Sequence, residues 1–135
     1  MMKPRVYLAS AMTGVRDHQA WKSDLRADLD MYIEFLDPAR CPEKLGYKGI
    51  FFRDKADLKS AQVVVAYFGP GDPVSFGLAA ELGLANAYDI PVLACITNGY
   101  SHPFLLGMGN VLRTYSLTET RSVLGTLFNQ EDLIW

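Results

Sequence analysis

Three features of the chain predict a doubly wound α/β sandwich, with a mostly parallel sheet covered by helices on both faces in the flavodoxin-like or Rossmann-like manner. Residues 62–68, QVVVAYF, are β-branched and almost continuously apolar, as a central strand buried on both faces requires. Apolar runs of strand length alternate with segments whose apolar residues recur at helical spacing. Breaks rich in Gly and Pro, such as GPGDPV, separate them. With 135 residues, half of them hydrophobic, the chain has the length for one domain over 1–135 with its own core.

Taken in order, Arg5 to Ala9 is a short apolar strand, followed by a loop containing Gly14 and a helix in which Trp21, Leu25 and Leu29 recur at four-residue steps. Tyr32 to Leu36 alternates as a second strand and stops at Asp37-Pro38. A long polar loop with Pro42 and Gly46 leads to a short helix near Asp54 to Ala61, and the central strand follows from Gln62 to Phe68. Phe76 to Tyr88, rich in Ala and Leu, reads as a helix, and Pro91 to Ile96 as a fourth core strand. Beyond it, HPFLLGMGNVLRTY and TETRSVLGTLF fit amphipathic helical segments, the second opened by Thr118.

Composition narrows the function. The formal net charge is −2 and the thirteen Lys and Arg are scattered, so the basic stripe of a nucleic-acid-polymer binder is missing and small-molecule partners fit better. Cys41 and Cys95 have neither CxxC nor His-rich spacing, so no metal site, no cofactor and no disulfide framework is expected. The N-terminus lacks a signal-peptide core and no window approaches 18 apolar residues, which leads us to expect a soluble, cytoplasmic protein without membrane partners. P-loop, G-x-S-x-G, complete GxGxxG and HExxH motifs are all lacking.

In open α/β sheets ligands sit beyond the carboxyl ends of the strands, so Ser10 to Gly14, Asp37 onward and Gly69 to Ser75 are expected to converge. Just past the last of these comes SFGLAAELGLA, in which Glu81 is the one acid among small and apolar residues. A position in the first turns of its helix favours the ionised carboxylate through the helix dipole. Ser10, Ala11, Met12, Thr13 and Gly14 offer hydroxyls and free N–H groups that can hold a hydroxyl or a phosphate. Read without further context, Tyr7 is a core aromatic and Asp54 a helix N-cap.

The spacing Ser75-x-Gly77-x-x-x-Glu81-x-Gly83, combined with Tyr7-Leu8-Ala9-Ser10-Ala11-Met12-Thr13-Gly14, resembles the nucleoside 2-deoxyribosyltransferases and their relatives, the 2'-deoxynucleoside 5'-monophosphate N-glycosidases. The similarity runs over roughly residues 5 to 95. It implies three catalytic roles: Glu81 as nucleophile, Tyr7 as the hydroxyl that orients it, and Asp54 as the acid near the nucleobase. The chemistry is consistent with these residue types. Breaking an N-glycosidic bond builds oxocarbenium character at C1', which a carboxylate can trap as an ester while a second group protonates the departing base.

The resemblance also implies substrate contacts from Ser10 to Gly14, Ser75 and Gly77. It implies a homodimer or higher homo-oligomer in which Asn110 reaches a neighbouring pocket. Partners would be a 2'-deoxynucleoside or its 5'-monophosphate and a free nucleobase. Transfer between bases ranks first. Hydrolysis of the monophosphate is the alternative, because Ser75 stands where transferases of free nucleosides commonly carry an Asp that would repel phosphate. Two positions depart from the pattern: Thr13 replaces the Arg usual in the nucleotide-cleaving relatives, with Arg16 and Lys22 the nearest cations to compensate, and Gln62 replaces a frequent Asp. A nucleotide-binding module without catalysis is the third reading.

Overall fold

The computed structural model describes residues 2–12, 15, 17–40 and 45–128. Five strands form one all-parallel sheet in the order β2-β1-β3-β4-β5: β1 (Arg5–Ser10), β2 (Glu34–Leu36), β3 (Val63–Phe68), β4 (Val92–Ile96) and β5 (Val111–Thr114). The helices are α1 (Ala20–Arg26), α2 (Gly46–Ser60), α3 (Phe76–Ala87), α4 (Pro103–Leu106) and α5 (Leu117–Leu127), with a 3-10 turn at Pro38–Arg40. This is the predicted doubly wound class. Alternation within β1 and β3 divides the core. Val6, Leu8, Val63 and Val65 pack with Trp21, Leu25 and Leu124 of α1 and α5. Tyr7, Ala9, Val64 and Ala66 pack with Leu58, Leu78 and Leu82 of α2 and α3.

The chain steps from β1 outward to β2, then returns across β1 to place β3 on its other side. With right-handed crossovers that reversal puts α1 and α2 on opposite faces and opens a crevice between the carboxyl ends of β1 and β3. Tyr7 pairs in register with Val64, and Ser10 with Tyr67. The loops after both strands therefore emerge side by side.

Three expectations require correction. Helix α2 begins at Gly46 rather than near Asp54, so much of the expected polar loop is helical. Its first half, GYKGIFF, contains two glycines and three aromatics and has poor intrinsic propensity; of the face Phe51, Asp54, Leu58, it is Leu58 that is buried in the core. The segment HPFLLGMGNVLRTY is not one helix. It holds the four-residue α4 and then β5, which pairs in parallel with β4. Gly107 ends the helix, since a Cβ there would lie 2.5 Å from the Pro103 carbonyl oxygen, and the β-branched Val111 and Thr114 suit the edge strand that follows. Finally, α5 is capped by Ser116, not Thr118: its hydroxyl accepts the Glu119 N–H at 3.1 Å. Among the described residues no helix is long and apolar enough to cross a membrane.

Candidate active site

Tyr7 lies at the middle of β1 with its side chain toward α2 and α3, and no part of it reaches solvent. Its hydroxyl donates to the Glu81 carboxylate (Oε2). That bond spans the gap between sheet and helix, and it is why a buried strand carries a tyrosine rather than a phenylalanine at this position. Tyr7 is thus both core aromatic and polar partner. Burial, followed by the charge and hydrogen bond of Glu81, holds the phenol well above its ordinary value of 10.0, so it remains a donor.

Glu81 is the sixth residue of α3, beyond the first turn in which the dipole acts strongly. Burial dominates instead, which corrects the expectation of a carboxylate held ionised by the helix end. It pushes the carboxyl from 4.5 up to about 7, with the Tyr7 hydrogen bond pulling down, the Asp54 charge pushing up and the Lys22 charge pulling down. A nucleophilic carboxylate must be ionised, so activity is expected to fall as pH drops through about 7. Tyr7→Phe removes a contribution that lowers this pKa. Its pH–rate profile should show the acid limb displaced upward as well as a slower plateau, and a profile superimposable on wild type would assign Tyr7 to packing alone.

Glu81 opens onto a cavity of about 300 Å³ whose walls include Pro38, Phe51, Asp54, Lys55, Leu58 and Phe76. A second lobe of about 480 Å³, lined by Ser10, Met12, Pro73, Val74, Ser75 and Leu78, shares Met12, Phe76, Gly77 and Glu81 with it. The carboxylate therefore stands at the junction of two lobes, one apolar with an acid in its wall, the other lined by hydroxyls and the start of α3. Asp54 is in the middle of α2, not at its N-cap, and faces the same cavity as Glu81.

The other expected residues separate by position. Ser10, Met12, Ser75 and Gly77 all line the second lobe. Ser10 Oγ accepts the Trp21 indole N–H at 3.3 Å, which leaves its own proton to donate. Ser75 caps α3 by accepting the Leu78 N–H at 3.1 Å and is likewise left with a proton to give. A Cβ on Gly77 would meet nothing within 4 Å, so glycine there keeps the cavity wall low. Gly83 is exposed with equally open space around it and packs against no strand. Ala11 lines a separate hollow with Trp21 and Tyr67. Thr13, Gly14 and Arg16 lie outside the described residues.

Lys22 does not supply the cation considered for the phosphate end. It forms a buried ion pair with Asp37, Nζ to Oδ1 2.6 Å, the side chains 2% and 5% exposed. Gln62 is at the opposite end of β3, where its side-chain oxygen accepts the Arg5 N–H at 2.7 Å. Asn110, in the loop before β5, donates from Nδ2 to the Ile90 carbonyl at 2.9 Å and lines neither lobe of its own chain. Its Oδ1 is buried and without a hydrogen-bond partner among the described residues. No group of three or more His, Cys, Asp or Glu among those residues is placed to hold a metal ion.

The sequence reading missed Phe51, Lys55, Pro38 and Phe76 as cavity residues. Phe51 and Lys55 carried a signal: with Asp54 and Leu58 they fall at i, i+3, i+4 and i+7 of one helix face, legible only once α2 is extended to Gly46.

The family model for nucleoside 2-deoxyribosyltransferase matches residues 6–131. The chain belongs to that family. No curated protein sequence matches it. Among solved structures, the 2-deoxyribosyltransferase of Bacillus psychrosaccharolyticus is similar with a TM-score of 0.70 at 17% identity, over 87% of this chain and 90% of that one. The Clostridium botulinum CMP N-glycosidase BcmB gives 0.59 at 22%, over 89% and 97%. The 2-desoxiribosyltransferase of Leishmania mexicana gives 0.57 at 22%, over 70% and 65%. At these identities the structural likeness establishes a shared fold. A 2-deoxyribosyltransferase and a CMP N-glycosidase thus both share this architecture.

Proposed function

We propose that the chain cleaves the N-glycosidic bond of a 2'-deoxynucleoside and transfers the sugar to another nucleobase through a deoxyribosyl ester on Glu81. The observation that carries this reading is the Glu81 carboxylate, hydrogen-bonded by Tyr7, at the junction of two lobes with Asp54 in the wall of one of them. The base occupies the apolar lobe beside Phe51 and Asp54, and the sugar lies against Gly77 with its 5' end toward Ser10 and Ser75. An ionised Glu81 oxygen attacks C1'. The C1'–N bond breaks, its electron pair leaves with the base, and Asp54 passes a proton to the base nitrogen. An incoming base then gives its N–H proton to Asp54 as its nitrogen displaces Glu81 from C1', returning the Glu81 carboxylate and the Asp54 acid.

A second reading, hydrolysis of a 5'-monophosphate, is favoured by Ser75. Its hydroxyl proton and the first N–H groups of the twelve-residue α3 face the second lobe, where a phosphate would be stabilised and a carboxylate in place of Ser75 would repel it. Incubation of deoxynucleosides and their monophosphates, each with and without an acceptor base, separates the readings. New nucleoside in the presence of acceptor supports transfer; free base from the monophosphate alone, unaffected by acceptor, supports hydrolysis; tight binding with no base release leaves a nucleotide-binding module.

We further propose a symmetric partner over the rim of the cavity, where Phe76 is 91% exposed and Phe51 and Val74 are exposed beside it. Asn110, whose Oδ1 has no hydrogen-bond partner among the described residues, is the residue given to the partner's site. Mixing folded but inactive Glu81→Ala and Asn110→Ala chains should regenerate activity, because one pocket of the mixed dimer holds both wild-type residues. No recovery despite verified subunit exchange would confine Asn110 to its bond with Ile90.

A further inference from the structure

Lys55 is the one cation among the described residues lining the apolar lobe. It shares a helix face with Phe51, Asp54 and Leu58, so its half-buried stem is part of the cavity wall. Its ammonium lies over the Phe51 ring, 5.8 Å from the centroid, and makes no ion pair with any described residue. The neighbouring lysine on the helix, Lys59, is turned to Tyr88 instead. The Lys55 charge therefore sits beside the Phe51 wall of the lobe. An apolar lobe with Phe51 and Pro38 in its walls, an acid in Asp54 and a strong donor in Lys55 has the makings of a base-reading site.

Resting on the assignment of this lobe to the nucleobase, we propose that Lys55 is a specificity residue whose ammonium hydrogen-bonds an exocyclic oxygen of the base. Bases carrying a carbonyl at that position are thereby preferred over those carrying an amino group. The donor has three N–H bonds and no lone pair, so it accepts nothing from an amino substituent and leaves that group unpaired. The preference extends to the chemical step. As the C1'–N bond breaks, the electron pair moving into the ring is delocalised onto the exocyclic oxygen, and the ammonium stabilises that charge without giving up a proton.

The purine pair 2'-deoxyinosine and 2'-deoxyadenosine, tested as nucleosides and as 5'-monophosphates, differs at the exocyclic group and at the N1 proton, and the Lys55 variants separate the first from the second. Wild type should favour the oxo substrate in kcat/KM. Lys55→Met should lose roughly 10- to 100-fold on it while leaving the amino substrate within about threefold, and Lys55→Arg should restore most of the preference. Equal losses on both substrates, or none on either, would overturn the proposal while leaving Glu81-dependent cleavage intact. A calorimetric comparison of free hypoxanthine and adenine binding decides the matter independently of turnover. Tighter hypoxanthine binding that disappears in Lys55→Met supports the contact. Binding of the two bases unchanged by the substitution, or no binding to wild type, sinks it.

Discussion

Glu81→Gln is expected to reduce base release by roughly 10⁴-fold or more, since an amide cannot form and release the glycosyl ester, while the protein remains folded and gains stability at neutral and alkaline pH. The stability change follows from the direction of the shift. Burial raises the folded-state pKa of Glu81 from 4.5 to about 7, so the folded protein holds a proton that the unfolded chain releases in that interval. The stabilisation due to this group is fully present below about 4.5 and is lost as pH rises through about 7. Glutamine never ionises, and so the variant escapes that loss. Urea titrations of both proteins should diverge between pH 4.5 and 7, the variant being the more stable at the upper end. Turnover in the variant within tenfold of wild type would remove Glu81 as nucleophile, and parallel stability curves would show that its carboxyl titrates as it does in water.

Lys22→Met should destabilise the fold by about 3 kcal/mol, because it takes the buried ammonium away from the Asp37 carboxylate. Burial alone would raise the Asp37 pKa, but the Lys22 hydrogen bond, the Ala39 N–H and the Lys22 charge outweigh it and hold the carboxyl below 3.8. The wild-type pair thus contributes stability above pH 3.8 that disappears as pH falls below it. Replacing both partners, Lys22→Met with Asp37→Leu, should recover most of the loss, as an apolar pair of similar volume needs no compensation. A single-variant loss under about 1 kcal/mol, read from the urea midpoint at unchanged slope, would mean that the Ala39 N–H and the other groups around Asp37 hold its charge without Lys22. The same substitution removes a charge that lowers the Glu81 pKa, so the surviving folded enzyme should need a higher pH for activity.

Positions dominated by one physical requirement were legible in the sequence. QVVVAYF could only be a strand buried on both faces, and Glu81 among Ala, Gly and Leu stood out because few residues near it could share its charge. Tyr7 and Asp54 were readable by resemblance, and the structure brings Tyr7 to Glu81 and Asp54 to the same cavity. What escaped depended on partners distant in sequence. Gly46, Gly49 and the aromatics of α2 argue locally against a helix, and Leu58, near its far end, is its buried anchor on the sheet. The VLRT of β5 lies between glycines and a polar turn, and its strand character comes from β4 alongside it. Lys22 looks like any lysine on an amphipathic helix until Asp37, fifteen residues on, is seen to take it out of solvent. The departure at Gln62 read as a loss near the chemistry, whereas its side chain meets the Arg5 backbone at the other end of the strand.

The all-parallel order β2-β1-β3-β4-β5 also bears on how the chain acquires its shape. None of its pairings is a hairpin, and β1 cannot find its inner neighbour until the stretch that pairs Val6 with Val63 has been made. On a ribosome the first strand, with its apolar Val6 and Leu8, therefore waits through the synthesis of α1, β2 and α2, its edge open to wrong partners. Tyr7 waits longer still, because the carboxylate that accepts its hydrogen bond belongs to α3. The crevice and its buried polar pair are consequently made in succession: a chain stopped after Phe68 holds the strands of the crevice but not Glu81.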